Sequence, residues 1–471
     1  MLPDRLKSFF VDNRISLIVA AAFFMETLDG SIIVTALPAI AHSFGEATLA
    51  LSVAISAYMI ALAVFVPAAG WASERYGARR VFASAVAVFT IASLLCGLSP
   101  NFWSFIAARV LQGSAAAFMS PVGRLVVLRE TPKHRLIESL GLIVWPALIG
   151  PVVGPPLGGL IATYASWHWI FFLNLPIGAL GLWLVLRYVP AHEPADESKQ
   201  RFDVYGFAIT SLALVTLLQG LAFIAESPAQ RWAGLALVVA GLVVGALAVR
   251  HAQRHPAPIL NLQSAREPTF VMSTLAAGFW GRVAINTAPF LLPLMFQIGF
   301  ADNALRAGLM LLVYMAGNLA MKAATTWMLK QHGFRRVLVY NGYAHAATLL
   351  GCALMGPGWP LPVICVVLVL AGMTRSMHFT ALNTIAFADI PASARGGATT
   401  LSAVSSQVAA ALAVAFATLA LALAQRIAGG EGLQLRDFQI AFGISAALMA
   451  GASLWMMRLA HDAGASVTAR A

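Results

Sequence analysis

Apolar runs of about 18 to 25 residues recur from end to end of the chain, separated by short segments that hold most of its charge. Each run is long enough to cross roughly 30 Å of hydrocarbon as an α-helix. The pattern predicts about fourteen spans, the first centred near Phe24 and the last near Ala450. No intervening segment has room for a soluble domain. The longest run from Pro190 to Asp203 and through the stretch around His255, and they flank a pair of spans near Ala213 and Gly241 with almost no interior charge. The predicted class is an all-α integral membrane protein. Its charged start, MLPDRLKSFFVDNR, has no small-residue cleavage site before the first span, so a removable signal peptide is not expected.

Composition agrees with that pattern. The 471 residues are 60% hydrophobic and 10% charged, whereas a soluble chain carries roughly a quarter charged residues. A formal charge of +11 would suggest nucleic acid if it gathered on one soluble face. It lies instead in alternate loops. One side holds residues such as Arg14, Arg129, Lys133, Arg187, Arg250 and Arg395, and the other receives only Arg231, Arg306, Arg426 and Arg436. By the positive-inside rule both termini are expected in the cytoplasm, with an even number of spans between them. The expected partner is therefore the lipid bilayer and not a nucleic acid. Cys96, Cys352 and Cys365 sit in apolar runs without ligand spacing, so they are read as packing residues, and no metal site is expected. The chain has no HExxH, GxSxG or phosphate-binding GK[ST] segment, which argues against a membrane enzyme, a cofactor or nucleotide-driven work.

Two loops repeat. GWASERYGARR (Gly70 to Arg80) and TWMLKQHGFRR (Thr326 to Arg336) align at Gly77 and Gly333, placing Arg79 and Arg80 over Arg335 and Arg336. Such a repeat predicts two six-helix halves, residues 1–190 and 267–471, joined by a linker with two extra helices, 191–266.

GWASERYGARR resembles the loop signature of the major facilitator superfamily, and IAARVLQG (Ile106 to Gly113) its fourth-helix signature. METLDGSIIVTALP, WHWIFFLNLPIG and RFDVYGF are similar to segments of that family's fourteen-helix drug/proton antiporter branch. The resemblance spans essentially the whole chain. It implies a major facilitator fold and a monomeric carrier in the bacterial inner membrane that exports a small molecule against protons. It also makes Gly70, Glu74, Arg75, Gly77, Arg79 and Arg80 a cytoplasmic gating loop. GLIVWPALIGPVVGPPLGG is similar to the branch's fifth-helix antiporter signature, whose positions are filled by Gly141, Gly150, Gly154, Pro155, Gly158 and Gly159. Gly150, Gly154 and Gly158 share one helical face, and Gly141 lies on the other side. A row of small residues lets a neighbouring helix come close. That contact is either plain tight packing or a flexible seam between the halves in alternating access.

Ionisable residues inside spans are functional candidates by default: Glu26, Asp29, Arg109, Arg124, Arg282, Lys322 and Arg375. Arg124 is close enough to a span end to snorkel. The resemblance implies that spans one, four, nine and twelve line a central cavity, and of the others only Lys322 lies elsewhere. Glu26 and Asp29, three apart, share a face. Asp29 is expected to couple protons with Arg109 as its partner and Glu26 beside it; the competing reading is a fixed structural pair. Arg282, Arg375 and Lys322, with Asn286, Asn318, Asn383 and His378, make the second half positive without an acid of comparable depth. Guanidinium forks match carboxylates, so the residues favour an anionic substrate such as an organic acid or a metal–carboxylate chelate. The branch's multidrug habit points instead to lipophilic cations, which favour carboxylates and aromatic faces. Lys322 faces either the cavity or the interface. A channel or a flippase-like carrier of an amphiphilic metabolite are further readings.

Overall fold

The computed structural model describes residues 13–48, 50–131, 136–190, 202–226, 231–255, 258–259, 262–391, 395–428 and 432–464. The chain forms helices α1 (Arg14–Phe44), α2 (Ser52–Tyr76), α3 (Ala78–Gly97), α4 (Phe102–Glu130), α5 (Leu136–Tyr164), α6 (Asn174–Tyr188), α7 (Val204–Glu226) and α8 (Arg231–Arg254). They are followed by α9 (Ala277–Leu294), α10 (Ala304–His332), α11 (Phe334–Leu354), α12 (Leu361–Ile385), α13 (Arg395–Ala428) and α14 (Leu435–Met456). Among the described residues, 12 helices are long and apolar enough to cross a membrane. The segments α5 and α9 occupy places where the sequence predicts two more.

Helix ends follow local chemistry. Gly45, at φ 69°, closes α1 in the left-handed conformation, and its amide reaches back to α1 carbonyls. The Asn101 side chain accepts the Ser104 amide in a capping box that starts α4; such boxes satisfy amides that a helix start leaves open.

Two compact units divide the chain: residues 1–46 with 57–202, and residues 47–56 with 203–471. In the first, α1 packs on α5, and α3 on α4 and α6, around Phe23, Phe82, Phe89, Met119 and Val127. In the second, α10 packs on α12, α11 on α14, and α9 on α13. The extra hairpin α7–α8 belongs to this unit, with α7 against α13. Leu235, Val239, Leu242 and Val243 of α8 are exposed, a stripe that needs hydrocarbon around it.

The sequence repeat is visible in three dimensions. Gly77 at φ 85° and Gly333 at φ 75° make the sharp turns before α3 and α11, a conformation other residues adopt only with strain. Arg79 then donates to the Leu186 carbonyl at the end of α6, and Arg335 to the Met457 carbonyl after α14 at 2.6 Å. Each guanidinium thus caps the third helix onward in its own repeat. Close approaches repeat as well: a Cβ on Gly113 would meet the Tyr58 carbonyl, and one on Gly372 the Tyr314 carbonyl. A cation at a helix C-terminus contributes about 0.3–1 kcal/mol. Arg335→Ala is accordingly expected to lower stability by about 1 kcal/mol at most, read by thermal unfolding in detergent.

Candidate functional site: two buried polar clusters

The first cluster sits in the N-terminal unit. Asp29 and Arg109, 1% and 0% exposed, meet at 2.7 Å between Oδ2 and Nη1. The other carboxylate oxygen accepts Gln112 Nε2 at 2.9 Å and Asn174 Nδ2 at 2.8 Å. Gln112 also accepts Arg109 Nη1 at 2.5 Å and donates to Ser93 at 2.7 Å. The Tyr58 ring lies 4.4 Å from the guanidinium carbon, a cation–π contact of the kind that stabilises desolvated arginines. Four helices and the head of α6 therefore converge on one ionised pair. Hydrogen bonds on both oxygens offset the desolvation that makes isolated buried charges so costly.

Glu26, one turn before Asp29, is set differently. It accepts a single hydroxyl bond, from Ser120 at 2.7 Å, and among the described residues no cation comes within ion-pair distance of it. The two carboxylates share a helix, as expected, but not an environment. Arg124 is exposed and lies 6.0 Å from the Phe23 ring centroid, in keeping with a snorkelling side chain.

Gly150, Gly154 and Gly158 lie on one face of α5, and that face rests on α1. A Cβ on Gly150 would strike Thr27, one on Gly154 would strike Ser31, and one on Gly158 the Ile32 carbonyl and Thr35. Hydroxyls fill the gap: Ser31 donates to the Gly150 carbonyl at 3.3 Å, and Thr35 to the Pro155 carbonyl at 3.2 Å. These bonds tie α1 hydroxyls to the proline-bearing stretch of α5. The glycine row thus joins two helices of the same unit. Gly141 and Gly159 lie in the same helix, α5.

The second cluster sits in the C-terminal unit, on α9, α10 and α12. Arg282, fully buried, donates to the Ser273 carbonyl at 2.6 Å and to Asn383 Oδ1 at 3.1 Å. Ser273 lies in a wide π-turn, Val271–Leu275, ahead of α9. Arg375 reaches the Ile285 carbonyl at 3.3 Å and Asn286 Oδ1 at 3.2 Å. Lys322, half-buried, reaches Thr380 at 3.5 Å, which turns it toward the α12 cluster and away from the interface. His378 is buried beside Gly281, and among the described residues its Nδ1 has no hydrogen-bond partner. Asn318 follows Gly317 on α10, where α12 comes closest through Gly372. Among the described residues, every oxygen that these three cations reach is neutral.

Glu74, Arg75 and Arg80 are exposed around the α2–α3 turn, with Gly70 one turn earlier. Sequence reasoning missed Gln112, Asn174, Ser93 and Tyr58 in the first cluster, and Tyr314, His345 and Thr380 near the second. A signal existed for two of them, since Gln112 lies one turn after Arg109 in IAARVLQG and Asn174 lies within WHWIFFLNLPIG.

The sequence pattern of the Major Facilitator Superfamily matches residues 19–414. The chain belongs to the major facilitator superfamily. A Citrobacter koseri relative that carries the name multidrug resistance protein MdtD is 33% identical over 456 residues, covering 94% of each chain. Its Escherichia coli O6:H1 counterpart is 34% identical over 450 residues, again 94% of each. Among solved structures, a D-xylose-proton symporter aligns at TM-score 0.66 with 15% identity, over 96% of this chain and 97% of that one. The human organic anion transporter MFSD10 aligns at TM-score 0.60 with 15% identity, over 94% of this chain and 99% of that one. At such identity the structures show a shared major facilitator fold. This superfamily member is a multi-pass transporter of the bacterial inner membrane that carries small molecules.

Proposed function

We propose that this transporter exports an anionic small molecule in exchange for protons. The observation that carries the reading is the second cluster. Arg282, Arg375 and Lys322 hold only carbonyl, amide and hydroxyl oxygens, and no carboxylate among the described residues lies within ion-pair distance. Buried cations without a counter-ion are costly, and a bidentate carboxylate ligand would relieve that cost. Organic acids and metal–carboxylate chelates have this chemistry.

In the same reading, the N-terminal unit handles the protons. Asp29 and Arg109 form the switchable pair, and Glu26, with one hydroxyl donor, is the group most open to a proton from solvent. Glu74 and Arg75 act as a latch beside the α2–α3 turn. The chain crosses the membrane fourteen times as two six-helix halves and an inserted pair, works as a monomer, and keeps both termini in the cytoplasm, where the basic loops gather. A second reading, export of lipophilic cations, rests on the relatives' multidrug resistance name and on the partly free Glu26 carboxylate.

Proton release from energised inverted vesicles separates them. Citrate, with or without a divalent metal, is expected to evoke release that Arg375→Gln reduces about tenfold, the scale of one lost charge-assisted contact. A response to lipophilic cations alone, unchanged in Arg375→Gln, would overturn the anion reading.

A further inference from the structure

The open end of the α7–α8 hairpin gathers three ligating side chains that the transport clusters do not use. Asp203 precedes α7, His251 lies in the last turn of α8, and His255 follows one turn later. The His255 amide donates to the His251 carbonyl at 2.9 Å, which continues the helical turn and keeps both imidazoles on one face. Their ring centroids are 5.0 Å apart. His251 Nε2 lies 2.9 Å from Asp203 Oδ1 and 3.1 Å from Oδ2. One ligand atom from each of the three residues falls within 4.8 Å of the others.

From this geometry we propose that Asp203, His251 and His255 form a binding site for a divalent transition metal ion of the zinc type, which clamps the open end of the inserted hairpin. Imidazole nitrogens and a carboxylate are the donors such ions take, at about 2.0–2.2 Å. Two histidines four residues apart on one helical face are a recurring zinc-ligand spacing. Tetrahedral ligands at that bond length stand about 3.4 Å apart. The Asp203–His251 pair is already that close, and His255 brings a ligand atom within 4.8 Å of both.

The carboxylate is held in place from behind. The Gly206 amide donates to Asp203 Oδ1 at 2.8 Å and the Ile259 amide to Oδ2 at 3.4 Å. A Cβ at Gly206 would collide with that carboxylate, so the glycine makes room for it. Outer contacts of this kind orient ligands and tune metal affinity. Burial alone would raise the Asp203 carboxyl, but the Gly206, His251 and Ile259 hydrogen bonds outweigh it and hold the group below the ordinary carboxylate range. Asp203 is thus an anionic donor at neutral pH. On binding, His251 would offer Nε2 to the cation and carry its ring proton on Nδ1. Three protein ligands leave a fourth position for water, so the site is an open one. The sequence expectation of no metal site rested on the cysteines; Asp203 lies 48 residues from His251, and only the hairpin brings them together.

Zinc binding by the untagged full-length transporter in detergent tests the site, by calorimetric titration alongside thermal unfolding. One zinc ion per chain is expected, with thermal stabilisation reversed by a chelator. Affinity should fall about tenfold or more in His255→Gln and His251→Gln, and His255→Cys should restore it because thiolate also ligates zinc. His255→Gln carries the test, since it leaves the Asp203–His251 hydrogen bond and the start of α7 in place. Zinc affinity and stabilisation unchanged in His255→Gln would overturn the proposal and leave the trio as a hydrogen-bonded staple.

Discussion

Arg109→Gln is expected to destabilise the transporter by about 3–5 kcal/mol, the usual penalty for leaving one member of a buried ion pair alone. Asp29 would keep its amide donors from Gln112 and Asn174, but those dipoles cannot replace a full charge. The double variant Arg109→Gln with Asp29→Asn removes both charges while leaving hydrogen-bonding groups of similar shape. It should recover most of the lost stability, because neutral partners carry no ionic desolvation penalty. Export should not recover with it. Thermal unfolding in detergent and proton-driven transport in inverted vesicles read the two effects separately. If the stable double variant transported at the wild-type rate, the pair would be structural alone, and the proposed proton coupling would rest on Glu26.

Gly154→Leu is expected to disrupt the packing of α5 on α1. The first atom of any side chain there meets Ser31 and the backbone of Ile32 on α1, so the helices must separate along their length. Overpacking by a few atoms costs about 1–3 kcal/mol. Here the Ser31 and Thr35 bonds to Gly150 and Pro155 are lost as well. The variant should express poorly or unfold at markedly lower temperature. Gly30→Ala, on the opposing helix, is the control: a Cβ there meets nothing within 4 Å, and removing a mid-helix glycine contributes roughly 0.5–1 kcal/mol. Equal stability of Gly154→Leu and wild type would mean that α1 and α5 have room to spare.

The fold was largely legible in the sequence because a bilayer leaves a chain few options. Backbone groups in hydrocarbon must be satisfied within the segment, so an apolar run of the right length is a helix. Gly77 and Gly333 marked the repeat by their shared place before paired arginines, and the structure gives both a positive φ. The candidate sites were legible by half. Composition named Glu26, Asp29, Arg109, Arg282, Lys322 and Arg375 as costly charges, since cost depends on residue type and depth alone. Asn286 and Asn383 were named with them and proved to be partners of Arg375 and Arg282, but Gln112, Asn174, Ser93 and Thr380 stayed hidden, because a neutral polar residue in a span is unremarkable until it stands beside a charge.

By itself the sequence determined the helical membrane class, the alternation of basic loops, the two-fold repeat and the row of glycines on α5. These are properties of single segments, governed by spacing along one chain and by transfer of residues from water to lipid. Only the tertiary structure decided which helix the glycines face, which amides secure Asp29, and that the second cluster's cations hold neutral oxygens. It also decided that Asp203 meets His251 and His255. Each of these is a meeting of segments tens of residues apart, and short-range periodicity carries no information about which faces pair. That choice falls to packing: small residues admit a close neighbour, and buried polar groups accept only an arrangement that satisfies their hydrogen bonds.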